Sequence, residues 1–345
     1  MDKPSEMIAA SAATPAATPV AARPGRTGIV LSGDRKLTIV LMVALPLCTL
    51  LATNSFYKSV LVSSMINSIA AVGLCLMLGF AGQISIGQAA FYGLGAYVTA
   101  YLTNHFGIEP VLAIALGSAA AMAVGWGISR PLSRLHEHYL AMATLAFGII
   151  MYIVFANARP LTGGLDPGTS VGKFAILGFD LSTMDRYFWV VWVALGFAAL
   201  IAGNVAATQV GRSLLAVKMS APAAASVGID VVRAKAFVFA IGAFLTGLSG
   251  GLYAYFARSF NATTFGIGYS IELLMMVVLG SLTRVSGAIV GAFIITILPV
   301  LFEHFEDYKT LVFGITMVLI MKFMPSGLVE GVFSLAGRLL RRGGN

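Results

Sequence analysis

Residues 79–95 read GFAGQISIGQAAFYGLG, an apolar run broken by glycines at 79, 82, 87, 93 and 95 and carrying two glutamines, Gln83 and Gln88. An uninterrupted lipid-facing helix fits this stretch poorly. Each glycine lowers helix propensity by about 1 kcal/mol relative to alanine, and amide side chains at membrane depth need hydrogen-bonding partners. Two compatible readings remain. One is a bent or broken helix lining a cavity enclosed by protein. The other is close helix packing through small residues, with Gly79, Gln83 and Gly87 on one stripe.

Working outward, apolar runs of roughly 20 residues, long enough to cross a ~30 Å hydrocarbon core, recur along almost the whole chain after residue 36. Of 345 residues, 58% are hydrophobic and 10% charged, against about 25% charged in soluble domains. The runs are continuous and rich in Leu, Ala, Val and Met, so they are helices and not barrel strands, which would alternate in segments of about ten residues. The expected fold is an all-α polytopic membrane protein of about ten transmembrane helices (8–10), with a Gly-rich broken helix. The spans fall at 37–53, 59–79, 84–104, 110–130, 138–157, 187–207, 233–256, 270–283, 286–303 and 308–324. A second Gly-interrupted stretch, residues 279–291, lies in the other half of the chain. Paired interrupted helices in corresponding halves point to a transport pathway.

The net charge of +8 invites a nucleic-acid reading, but the basic residues flank the spans and form no patch with interleaved aromatics. They set an orientation instead. With the N-terminus in the cytoplasm, 16 of the 22 basic residues lie inside, and the two sides carry +10 and −2. Both termini are therefore expected in the cytoplasm. Residues 1–36, rich in Ala, Pro, Thr and Ser, read as a disordered cytoplasmic tail. Pro15, Pro19 and Pro24 interrupt the one apolar stretch there, so a secretory signal is not expected. Residues 37–325 form the membrane domain and 326–345 a basic cytoplasmic tail. Cys48 and Cys75 both fall inside apolar runs as small buried hydrophobes, with no disulfide or metal spacing.

One segment has no role in anchoring. GRSLLAVKMSAPAAASVGI (211–229) is small, basic-edged and helix-compatible, and it sits between two very apolar spans on the cytoplasmic side. It reads as a handle for a soluble motor. Pro222 is tolerated in a first helical turn, and Ser220 is placed to cap a short helix running to Gly228.

Eight blocks in order carry a resemblance: LGFAGQISIGQAAFYGLGAY (78–97), YLAMATLAFGII (139–150), LTGG (161–164), GRSLLAV (211–217), the run from Gly228 to Phe239, GLSGGLYAYF (247–256), SIELLMMVVLG (270–280) and MPSGL (324–328). Together they resemble the LivM-type membrane permease of branched-chain amino-acid ABC importers over roughly residues 60–330. The resemblance implies a bacterial inner-membrane importer subunit that works with a second related permease as a heterodimer, two ATP-binding subunits and an extracytoplasmic solute-binding protein. ATP and Mg would belong to those partners. The chain holds no G-x-x-x-x-G-K-[ST] loop and cannot be its own ATPase. It departs from the family where Ser220, Ala221 and Ala225 replace acidic residues and Pro222 an aliphatic one. Docking through shape and apolar contact is expected there instead of ion pairing. SLTRVSG (281–287) replaces a more Gly-rich turn and places Arg284 as a positive-inside anchor.

The expected substrate pathway comprises Gly82, Gln83, Ser85, Gly87, Gln88 and Glu272, with the small-residue stripe 247–256 beside it. Glu272 qualifies as an ionisable residue in a span, where insertion costs roughly 2.5–3.5 kcal/mol at the centre. Coupling to the ATPase is assigned to Gly211, Arg212, Ser220, Pro222, Ala224 and Gly228. No catalytic or metal residues are expected. His136 and His138 fall on different helix faces, and no nucleophile–base pair is recognisable. The same architecture for another small solute, such as urea, a short amide or an aromatic carboxylate, is the main alternative. An ion-coupled carrier would place charges mid-span, where this chain has almost none.

Overall fold

A computed structural model of the protein describes residues 26–51, 54–133, 135, 137–176, 179–301 and 314. Twelve helices order these residues. The long ones are α1 (Arg26–Leu51), α2 (Ser55–Cys75), α3 (Gln88–Phe106), α4 (Pro110–Leu132), α5 (Glu137–Asn157), α7 (Met184–Ala207) and α10 (Val231–Ala257). The shorter α11 (Ile267–Gly280) and α12 (Val285–Leu301) are equally apolar, while α6 (Arg159–Thr162), α8 (Gln209–Met219) and α9 (Ala221–Ser226) lie in connections. The chain is thus an all-α polytopic membrane protein. Among the described residues nine helices coincide with expected spans; the expected span 308–324 lies outside them except for Gly314, as do residues 1–25 and 326–345.

The helices differ in how much protein surrounds them. In α2 with its C-terminal extension to Phe80, 78% of the most apolar window is buried inside the chain, against 17% in α5. α2 is therefore central and α5 peripheral, and a helix buried all round needs no amphipathic stripe. α10 packs on α2, α3 and α4 at backbone distance. A Cβ on Gly250 would overlap the Tyr92 carbonyl oxygen, and one on Gly95 the carbonyl of Gly247. This is small-residue packing, in which glycines let backbones approach. The stripe 247–256, expected beside a pathway, is consequently spent on helix contact.

Short strands close one end of the bundle. β1 (Thr169–Ser170) pairs antiparallel with β4 (Ser259–Phe260), Thr169 opposite Phe260, so the loop after α5 is tied to the end of α10. β2 (Ala175–Ile176) pairs with β3 (Phe179–Asp180), and a 3-10 turn (Ala262–Phe265) leads into α11. The α8–α9 connection lies at the opposite end, since α10 runs from one to the other.

Part of the stretch expected to be disordered, 1–36, is helical, since α1 begins at Arg26. A cap explains the order. Asp34, 8% exposed, accepts hydrogen bonds from the backbone N–H groups of Val285 and Ser286 at 3.1 Å each and from the Ser286 hydroxyl. A carboxylate there satisfies the free donors of α12 and complements its dipole. Farther along α1, the Trp192 indole donates to the Met42 carbonyl at 2.9 Å.

Candidate functional site: a helix break and a capped short helix

The Gly-rich stretch is a break. After Cys75 the helix widens into a π-turn (Leu76–Phe80), and Gly82 turns the chain in the left-handed region at φ 66°. π-turns concentrate at functional positions. Gln83 N–H returns to the Met77 carbonyl at 3.0 Å, the chain then runs without helical bonds, and α3 starts at Gln88 instead of near 84. The proposed stripe of Gly79, Gln83 and Gly87 therefore does not exist on one helix.

Every neighbour holds the break by a polar contact. Thr144 of α5 accepts from the Ile86 N–H at 3.1 Å, and Ser270 of α11 accepts from the Ala89 N–H at 2.9 Å. Thr246 of α10 donates to the Gln88 Oε1 at 2.9 Å, while the Gln88 amide nitrogen donates to Ser85 Oγ at 3.2 Å and Met77 Sδ at 3.1 Å. Gln88 and Ser85 are fully buried and bonded. Gln83 differs. It is 1% exposed, and neither atom of its amide has a hydrogen-bond partner among the described residues. Buried polar groups without partners are rare and call for an explanation.

Gly87 serves packing as well: a Cβ there would overlap the Thr144 carbonyl oxygen, and Gly148 of α5 lies over it. Beside this contact a cavity of about 280 Å³ opens between Gly148, Ile149 and Tyr152 of α5 and Thr263, Gly266 and Ile267. Between the break and the strand end the space is filled by rings. Tyr92 stacks near Tyr269 (4.5 Å between centroids) and Phe265, and Tyr97 meets Phe155, Phe260 and Phe265 at 4.9–5.2 Å. A larger groove of about 650 Å³ lies between α1 and α7, lined mostly by apolar residues. The break gathers the buried amides and hydroxyls and is the candidate site.

Glu272 does not join the break. It follows Ser270 by two residues, about 200° around the helix, and so lies on another face of α11. Sequence reasoning also missed Thr144, Thr246 and Ser270; each belongs to a helix other than α2 or α3, and no local pattern reports such a contact.

The segment 211–229 forms the short capped helix expected from its sequence. Ser220 is extended and its hydroxyl caps α9 through the Ala223 N–H, Pro222 occupies the first turn, and Gly228 ends the element at φ 85°. A glycine in the left-handed region is the usual helix terminator. α8 turns Gly211, Leu214 and Val217 inward, while Arg212 is exposed and donates to the Ala207 carbonyl at 3.4 Å. Ala224 departs from expectation: it is 2% exposed and packs within its own chain, leaving Pro222, Ala223, Ala225 and Val227 outward. Lys218, read from sequence only as part of a charge count, reaches back to donate to the Gly79 carbonyl at 2.7 Å.

Apolar helices thus surround a buried polar break, with two short helices, α8 and α9, at one end of the bundle. The chain belongs to the family described as branched-chain amino acid transport system / permease component, which matches residues 56–321. It is 28% identical over 289 residues to the high-affinity branched-chain amino acid transport system permease protein LivM of Salmonella typhimurium, covering 77% of this chain and 68% of that one. It is 25% identical over 280 residues to the LivH permease protein of Escherichia coli, covering 75% and 89%. The ribose import permease protein RbsC of Haemophilus influenzae is 27% identical over 250 residues, covering 69% and 74%. No solved structure matches.

Proposed function

We propose that this chain is the membrane-spanning subunit of an ATP-binding-cassette importer that carries branched-chain or related hydrophobic amino acids inward across the bacterial inner membrane. The observation that carries the reading is the break at 82–87, a polar, buried interruption with an unpartnered Gln83 amide, in a chain of the branched-chain permease family. Such interruptions are tolerated at membrane depth only where protein or a water-filled path surrounds them. The solute would pass along the break, between α3, α5 and α11, and the ring cluster around Tyr97 and Phe265 would close the path toward the strand end. Weak contact suits release on the far side.

In this reading the α8–α9 end is cytoplasmic, as are both termini, and the exposed face of α9 docks into a separate ATP-hydrolysing subunit that binds ATP and Mg. A second related permease completes the pore and an extracytoplasmic binding protein delivers the solute. The likeness to LivM-named and LivH-named relatives alike supports a heterodimer. The chain itself acts without covalent chemistry. The likeness to a ribose permease supports a second reading, in which the same architecture carries another small solute.

The test is purification of the chain with its associated subunits, reconstitution into vesicles, and measurement of ATP-dependent uptake of radiolabelled leucine, with ribose and urea in parallel. Replacing exposed Val227 by Arg is expected to abolish uptake and to release the ATPase or uncouple it. Uptake by the purified chain with no ATPase present would overturn the proposal.

A further inference from the structure

Lys218 and Gly79 are 139 residues apart in sequence and 2.7 Å apart in space, and the bond between them is the direct polar link from the handle to the break. Among the described residues no ion pair involves Lys218, so its charge is spent on a backbone carbonyl and not on a carboxylate. That carbonyl lies where the helix runs out. Gly79 sits in the π-turn, Ala81 is the last residue in helical geometry and Gly82 reverses the chain, so among the described residues no downstream N–H bonds the Gly79 oxygen. A cation at a helix C-terminus satisfies the free carbonyl and complements the dipole. Gly79 is also wedged from the other side, since a Cβ there would overlap the Leu282 carbonyl oxygen in the turn between α11 and α12.

Resting on the reading of α8–α9 as the motor's handle, we infer that Lys218 is the positioning residue through which movement of the handle is delivered to the break. α8 is built as a short lever. Gly211, Leu214 and Val217 seat it on the bundle, α9 carries the exposed tip, and Lys218 projects from its last turn onto Gly79. A shift of α8 pulls on the π-turn four residues before Gln83. The orphaned Gln83 amide marks the element that changes, because a group with no partner in this arrangement has bonds to gain in another. A π-turn followed by a left-handed glycine supplies the pliable backbone.

The experiment uses the assembled importer in lipid nanodiscs, in a chain lacking Cys48 and Cys75, with a spectroscopic probe on Val227→Cys at the handle or on Ile84→Cys in the break. ATP with orthovanadate is the trigger, so cargo identity does not enter. With Lys218 present both probes are expected to respond. In Lys218→Met the Val227 probe should still respond while the Ile84 response falls about fivefold or more, the size of an ordinary coupling free energy. Lys218→Arg, which keeps the charge and the donor, should restore most of it. An undiminished Ile84 response in Lys218→Met overturns the inference. So does failure of both Lys218→Met and Lys218→Gln to assemble, which would make the residue merely structural. A silent Val227 probe in the chain with Lys218 intact overturns the handle reading itself and this inference with it.

Discussion

Gln83 and Gln88 are identical side chains five residues apart with opposite fates. Gln88 is bonded to Ser85, Met77 and Thr246, whereas the Gln83 amide is buried with no partner among the described residues. Removing a satisfied buried group strands its partners at about 1–3 kcal/mol, while removing an orphan strands none. Gln88→Leu should therefore lower the unfolding temperature of the detergent-solubilised protein, and Gln83→Leu should leave it unchanged or raise it while reducing uptake in vesicles. Full transport by Gln83→Leu would show the orphan to be idle. Gly87 and Gly82 divide in the same way. A leucine at 87 collides with the α5 backbone, so Gly87→Leu is expected to yield little monodisperse protein by size-exclusion chromatography. Gly82→Ala meets a left-handed strain of about 1–2 kcal/mol and should still fold. Monodisperse Gly87→Leu would count against the close contact with Thr144.

At the scale of elements, helix identity was legible and helix ends were not. Runs of Leu, Ala, Val and Met announce α4, α5, α7 and α10 through length and hydropathy, because burying polar backbone in lipid leaves few other structures. The start of α1 was misjudged, since Asp34 caps a helix 251 residues away and composition cannot report a long-range cap. Asp34→Ala should cost about 1–2 kcal/mol by leaving the Val285 and Ser286 N–H groups unbonded, read as a lower unfolding midpoint in detergent, with Asp34→Asn recovering part of the loss. A midpoint unchanged in Asp34→Ala would mean that α1 is held by its apolar flank alone. The short α9 was anticipated from Ser220, Pro222 and Gly228, whose cap and terminator chemistry is local.

For the whole molecule, the split of charge predicts the sides, the basic α8–α9 end inward and the strand end outward. Single cysteines at Val227, Gly107 and Ser170, all exposed, test it with a membrane-impermeant thiol reagent in a chain lacking Cys48 and Cys75. In intact spheroplasts Gly107→Cys and Ser170→Cys should label and Val227→Cys should not. Labelling of Val227→Cys from outside would invert the orientation and remove the docking argument with it.

What the sequence by itself determined is whatever a local or compositional rule enforces: membrane embedding, helices, the interruption at 79–95, the capped handle and the kinship that residues 56–321 share with branched-chain permeases. The eight motif blocks carried that kinship although none of them explains itself in one dimension. Only the tertiary structure decided how the interruption is packed and bonded. It separated Gln83 from Gln88, turned Gly247 and Gly250 into packing contacts, moved Glu272 to another face and set Lys218 on Gly79. Each of these depends on which backbone approaches which, between helices far apart along the chain. Glycine and amide residues permit many such approaches, and packing of the assembled bundle selects one.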